Sequence, residues 1–451
     1  MYHPHLPMPE TRREWLRAMA SGFGQLAFAG VASAAATKAT FENPLLPKKP
    51  HFAAKAKRVI FLFMQGAPSQ HETFDYNPEL DRLAEKDPDR ALKSQFAFER
   101  QGQSGLPISS LFPQLGKHAD SLCLLNGMHT DSPAHPQASV QLHTGSINFV
   151  RPSLGAWTLY GLGTENQDLP GFISIDPNEV GGAQKYGSAF MPAAFQGTPL
   201  QTRTGVLPNI KNPELKMKEQ RQQLDLVQAM NQNYLHRAQV DPEVEGLIET
   251  YELAFRMQTS VPGVLSLQGE TEATKKAYGL DNPTTRDFGV QCLMARRLAE
   301  KGVRFIELSK PGWDQHSNLK QQVSANCRAI DQPIAALLAD LKSRGMFDDT
   351  LIFWGGEFGR TPNGQGGDGR NHNARGYSVW LAGGGVKGGQ RIGLCDPLTG
   401  GAIEGKTHLH DVHATMLHLL GLDHKKLTYR FAGRDFRLTD VYGNLIQEVL
   451  A

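Results

Sequence analysis

The chain has 451 residues, 40% hydrophobic and 20% charged, with 47 lysines and arginines against 45 aspartates and glutamates. Neither sign dominates, so the basic field of a nucleic-acid-binding protein is missing and an ordinary globular composition remains. Cys123, Cys292, Cys327 and Cys395 are widely spaced and form no C-x-x-C pair, which points to buried free thiols rather than a zinc ribbon or a disulfide framework.

Residues 1–36 read as an address. In "TRREWLRAMASGFGQLAFAGVASAAA", Arg12-Arg13 precede a weakly apolar run rich in Ala and Gly and then small residues, which looks like a twin-arginine export signal. Export by that machinery to the periplasm is expected. No other stretch approaches the ~18 consecutive apolar residues of a membrane span, so no transmembrane segment is expected in the mature chain.

Beyond the leader, 57–69 ("KRVIFLFMQGAPS") is a short apolar run ended by Gly66 and Pro68, as in a fully buried strand delivering a loop. The form recurs at 120–128, 302–309, 350–356 and 377–385. Between these runs, 285–301 and 318–344 carry apolar residues at intervals of three and four, the helical spacing. Residues from about 211 to 282 are more polar and read as a helical insertion. Alternating strands and helices with near-continuous apolar strands predict an α/β fold, a mostly parallel sheet covered on both faces. With no break in composition, 37–451 reads as one large domain.

Chemistry-bearing residues follow the strands, where ligands sit in such sheets. His71, Glu72 and Asp75 come after the first run, and His129, Asp131 and His135 after the second. Asp314 and His316 follow the third, Glu357 and His372 the fourth, and "THLHDVHATMLH" adds His408, His410, Asp411 and His413. Carboxylate with imidazole is a ligand set for Zn, Mn, Fe or a similar divalent ion, and two such groups would form a clamp for displacement at phosphorus or sulfur. His413 and His418, inside an apolar helical pattern, are expected to be structural. The stretch from Gly355 to Gly369 holds seven glycines and reads as a flexible loop returning His372 to the ion held by Glu357.

Taken together, "GWDQH", "GGEFGRTP" with "GRNHN", "LAGGGVKGG", "DVHATMLHLLGLDH" and "YRFAGRDFRLTDVYG" resemble the bacterial family called domain of unknown function 1501, a sulfatase-like group of the alkaline phosphatase superfamily. The similarity runs from about residue 57 to 451. It implies an alkaline-phosphatase-like three-layer α/β/α sandwich with one or two divalent ions at the carboxyl edge of the sheet, with Zn, Ca, Mn and Fe all open as the metal.

On that resemblance, Glu357 stands where an Asp-His pair usually begins and Phe358 where its His would be, so His372 is expected to supply the imidazole. Asp314 and His316 look like the other metal-binding pair. Gln65 replaces the usual Asp at the end of the first strand, which passes that role to Glu72 or His71, and His410 is a further expected ligand. "HPQASVQLHTG" is similar to the segment whose cysteine becomes formylglycine in sulfatases. Neither that cysteine nor its arginine is present, so formylglycine chemistry is not expected. Three possibilities stand for the attacking group: His135 as nucleophile, Thr130 or Ser132, or water at the ion with His135 as a ligand. Arg360 and Arg370, with the loop amides, are expected to receive an anionic ester.

The expected function is an exported metal-dependent hydrolase of sulfate or phosphate esters, with polysaccharides or glycoconjugates as candidate substrates. The alternative is a non-catalytic periplasmic metal-containing binding or scaffold protein on a degenerate sulfatase fold. A phosphoryl mutase is disfavoured by export away from cytoplasmic metabolites.

Overall fold

The computed structural model describes residues 43–202, 214–238 and 242–451. The expected leader at 1–36 lies outside the described residues. Among the described residues, nine strands form one sheet. Along it lie Gln390–Ile392, Leu122–His129, Tyr377–Ala382, Thr350–Gly355, Arg58–Met64, Phe305–Lys310, Phe172–Ile175 and Thr198–Leu200, and Thr407–His408 pairs with the end of Leu122–His129. Neighbours are parallel except at Tyr377–Ala382, which is antiparallel to the strands on both sides.

Alternate residues of the central strands enter two separate cores. Ile60, Leu62 and Met64 pack with Ile306, Leu308, Ile352 and Trp354 beneath helices Arg286–Glu300 and Leu319–Ser343. Val59, Phe61 and Phe63 pack with Phe305, Leu351 and Phe353 beneath Leu154–Leu162 and Leu409–Leu419. Burial on both faces is why these strands read as unbroken apolar runs. The result is a three-layer α/β/α sandwich with a mostly parallel sheet. In Leu319–Ser343 the eight residues 319, 323, 327, 330, 334, 337, 338 and 341, all fully buried, fall on one face, as helical periodicity requires.

Helices Met217–Ala238 and Pro242–Leu265 stand within the region read as an insertion, joined where Arg221 places two nitrogens 2.8 Å from the two oxygens of Glu252. The four cysteines are buried free thiols. No described helix is long and apolar enough to cross a membrane.

Three adjacent parallel strands, Arg58–Met64, Phe305–Lys310 and Thr350–Gly355, end at the same edge, with Phe63 in register with both Ser309 and Gly355. Their continuations carry Gly66, Asp314 and Glu357 to one place. The glycine-rich stretch corrects an expectation. Instead of a flexible loop it forms an antiparallel hairpin, Gly359–Gln365 with Gly369–Asn373, in which His372 pairs with Arg360. Backbone pairing of the two arms fixes His372.

Candidate metal centre

Glu357 follows strand Thr350–Gly355 and is fully buried. The Gly66 amide donates to its two oxygens at 3.0 and 3.2 Å, and His135 Nδ1 to its Oε1 at 2.6 Å. Gly66 fits because it lacks a side chain: its φ is +106°, and a Cβ there would lie 2.6 Å from the Asp314 amide nitrogen. His135 is the first residue of helix His135–Thr144. Gly369 serves the hairpin similarly, since a Cβ would lie 2.0 Å from the His316 carbonyl, so the arm bearing His372 presses directly on the loop bearing His316.

Three imidazoles surround one carboxylate oxygen. Asp314 Oδ1 is 3.2 Å from His135 Nε2, 2.9 Å from His316 Nε2 and 3.2 Å from His372 Nε2. His316 Nε2 and His372 Nε2 are 3.0 Å apart. The other nitrogen of each ring already has an acceptor: Glu357 for His135, Gln365 Oε1 at 2.7 Å for His316, and the Pro133 carbonyl at 2.7 Å for His372. A neutral imidazole that donates from Nδ1 presents a lone pair at Nε2. Once His135 gives up its Nε2 proton, three lone pairs and a carboxylate oxygen converge, with outer acceptors of the kind that orient metal-binding histidines. His135 Nε2 is buried and out of line for a hydrogen bond with Asp314, a polar atom that a cation would satisfy. One ligand atom each from His135, Asp314 and His372 lie within 4.8 Å of one another, with His316 beside them. The donor set suits Zn, Mn or Fe in the divalent state.

Burial pulls the His135 pKa down, but its acid neighbours Asp314 and Glu357 reverse this and lift it to about 9. Burial acts upward on Asp314, and contacts with His135, His372 and Arg360 outweigh it, holding the carboxylate well below its usual range.

Several expected site residues sit elsewhere or act differently. Arg360 is buried, and its guanidinium donates to the carbonyls of Ala67 at 2.9 Å, Trp313 at 3.1 Å and Gly66, and to Asp314 Oδ1 at 2.8 Å. It fixes Asp314 rather than facing a substrate. Glu72 forms a fully buried pair with Arg370 at 2.8 Å, so neither the expected ligand nor the second expected anion receptor reaches the centre. Arg370 also donates to Pro362 O at 2.8 Å and Leu92 O at 2.9 Å. His71 Nε2 lies 3.2 Å from Arg360 O. His410 Nε2 donates to Gly145 O at 2.9 Å, in a second group where His408 Nε2 meets Asp131 Oδ1 at 3.1 Å. Thr130 Oγ1 donates to Gln141 Oε1 at 2.8 Å, and Ser132 Oγ accepts from the Ala134 amide at 3.2 Å. Glu357 holds His135 from behind, with its oxygens turned to the Gly66 amide and the imidazole.

A family model described as "Protein of unknown function (DUF1501)" matches residues 56–450. The chain belongs to this family. No curated protein matches it. Among solved structures, this DUF1501 chain is similar to the lipoteichoic acid synthase LtaP from Listeria monocytogenes, at 10% identity and TM-score 0.40, covering 87% of this chain and 78% of that one. A protein in the alkaline phosphatase superfamily from Vibrio parahaemolyticus gives 10% identity and TM-score 0.35 over 90% and 76%. The PsFucS1 sulfatase from Pseudoalteromonas sp. gives 13% and 0.35 over 88% and 71%.

Three buried residues carried no expectation: His143, on the helix that carries His135, and Glu307 and Lys185 near that helix. One signal was present: Glu307 interrupts the apolar run of 302–309 with a charge.

Proposed function

We propose that this DUF1501 protein is an exported, metal-dependent hydrolase of sulfate or phosphate esters on an alkaline-phosphatase-type sandwich. The observation that carries this reading is the convergence of His135, His316 and His372 Nε2 on Asp314 Oδ1, each ring held from behind through Nδ1. A divalent ion bound there supplies Lewis-acid polarisation of an ester oxygen and neutralises developing charge. Asp314, His135, His316 and His372 would hold it. Glu357 orients His135, and Arg360 fixes Asp314. The side chains of Asp314 and His316 are 44% and 38% exposed, which gives a solute access to the group. Thr130 and Ser132 are engaged in local hydrogen bonds, and both nitrogens of His135 face acids, which favours water as the attacking group and a ligand role for His135.

The burial of Arg360 and Arg370 favours a second reading, a metal-containing binding or scaffold protein, because neither guanidinium can receive an ester anion. Elemental analysis of purified protein, alongside a panel of aryl sulfates and phosphates, separates the two. Turnover that is lost with chelator and restored by metal supports the hydrolase; bound metal with no turnover across the panel supports the binding protein.

A further inference from the structure

Glu307 lies in the middle of strand Phe305–Lys310 and is fully buried, between Ile306 and Leu308 of one core, with its own side chain on the opposite face. A carboxylate in such a place is unfavourable unless it is paired. His143 Nε2 lies 3.3 Å from its Oε2, a close contact in which neither atom is aligned for a hydrogen bond, and Ser174 Oγ donates to its Oε1 at 3.4 Å. His143 Nδ1 donates to Ser139 O at 2.6 Å, and the ring packs against Phe61 and Phe63 at centroid distances of 5.4 and 4.8 Å. Lys185, also fully buried, donates to Asn178 O at 2.9 Å and Oδ1 at 2.6 Å. Burial lowers the Lys185 pKa, and the carboxylates of both Glu307 and Glu357 oppose that, so its charge lies within reach of both.

His143 and His135 belong to one ten-residue helix, eight positions and about 12 Å apart along its axis. From Ala138 to Thr144 every residue of that helix is buried. Gln141 ties it to Thr130, and His413 donates to its Leu142 carbonyl at 2.8 Å, but neither partner belongs to the central strands. Glu307 does. Apolar packing tolerates small slides, whereas a carboxylate and an imidazole buried against each other tolerate few relative placements.

We infer that Glu307 and His143 pin helix His135–Thr144 to the sheet and so fix where His135 meets Asp314 and Glu357. They are positioning residues, and the inference rests on the reading of His135 as a metal ligand. The experiment compares Glu307→Gln with wild type in the full chain, using zinc ion titrated into chelator-treated protein and the rate of His135 carbethoxylation in the metal-free protein, read by peptide mass. Zinc affinity should fall about tenfold or more, as for other outer-shell changes. Labelling of His135 should quicken several-fold, and Glu307→Asp, which keeps a carboxyl group, should recover part of both. The control is Glu270→Gln, which breaks a pair with Arg296 at 2.6 Å on the other side of the sheet. It should lower the melting temperature but change neither readout.

Zinc affinity within twofold of wild type, with unaltered labelling in a folded Glu307→Gln protein, overturns the inference. Should Glu307→Gln fail to fold, His143→Gln is judged by the same two readouts. Wild type that binds no zinc would remove the metal reading of the site, while the labelling comparison would still decide whether the pair positions His135.

Discussion

His135 Nδ1 donates to Glu357 Oε1 across 2.6 Å, joining residues 222 positions apart in the chain. Because the same carboxylate also accepts from the Gly66 amide, it cannot swing away, and it holds the imidazole with Nε2 toward Asp314. Glu357→Ala should weaken divalent-metal binding by about 10–100-fold. It should also cost about 1–3 kcal/mol for each buried donor left unsatisfied. Glu357→Gln, which retains an acceptor, should be milder on both counts. Metal content by elemental analysis and thermal melts check this; wild-type metal content in Glu357→Ala would remove Glu357 from the centre.

The ligand assignment separates residues that the sequence grouped together. Asp314→Ala and His372→Ala should each abolish stoichiometric metal and with it the metal-dependent rise in melting temperature. Glu72→Ala breaks the fully buried pair with Arg370 and should cost about 3–5 kcal/mol while leaving metal binding in the folded protein intact. His410→Ala should likewise retain its metal. Loss of metal in a folded His410→Ala protein would place a second ion near His408 and Asp131.

For pH dependence, His135 has a folded pKa raised to about 9, against about 6.5 when unfolded. In chelator-treated protein its stabilising contribution is fully present below about pH 6.5 and is lost as pH rises through about 9. Metal must displace that proton, so metal affinity should climb between pH 7 and 9 by up to about tenfold per unit. Titrations at three pH values test this, and a flat profile would show that His135 is not a ligand.

His413 behaves in the opposite sense. Burial, and then the nearby His410, lower its pKa to about 3, while its Nε2 donates to Leu142 O at 2.8 Å. The unfolded chain therefore takes up the proton first, and stability falls as pH drops from about 6.5 toward 3. His413→Gln, which keeps a donor, should lose less stability between pH 7 and 4.5 than wild type does. Equal losses in urea melts would mean that His413 does not drive acid unfolding.

The proposed export is tested at Arg12 and Arg13, the pair that the twin-arginine reading depends on. Replacing both with lysine should leave unprocessed precursor in the cytoplasm of a host with an active twin-arginine pathway. Undiminished periplasmic recovery of the double variant, seen by fractionation and immunoblot, would remove the assignment.

Asp314, His316 and His372 were legible as ligand candidates because each follows an apolar run or a glycine-rich turn at the carboxyl edge of a parallel sheet. Glu72 and His410 fit the same pattern and are held elsewhere, the one by Arg370 and the other by the Gly145 carbonyl. Arg360 looked like an anion receptor from its place in "GGEFGRTP", yet its donors go to carbonyls and to Asp314. Composition cannot tell a solvent-facing guanidinium from a buried one, since that depends on which carbonyls the fold brings within reach.

By itself the sequence determined the sheet and its two covering layers, because a strand buried on both faces must be apolar at nearly every position, and that is visible in one dimension. It also determined which edge would gather acids and imidazoles. Only the tertiary structure decided which of them meet. His135 lies 179 residues from Asp314 and 222 from Glu357, and its contact with both depends on a helix held against the sheet, on Gly66 leaving room for the Asp314 loop, and on the hairpin that returns His372. Local spacing carries the propensity of each segment, but a convergence of lone pairs is set by long-range packing, which no single stretch of chain encodes.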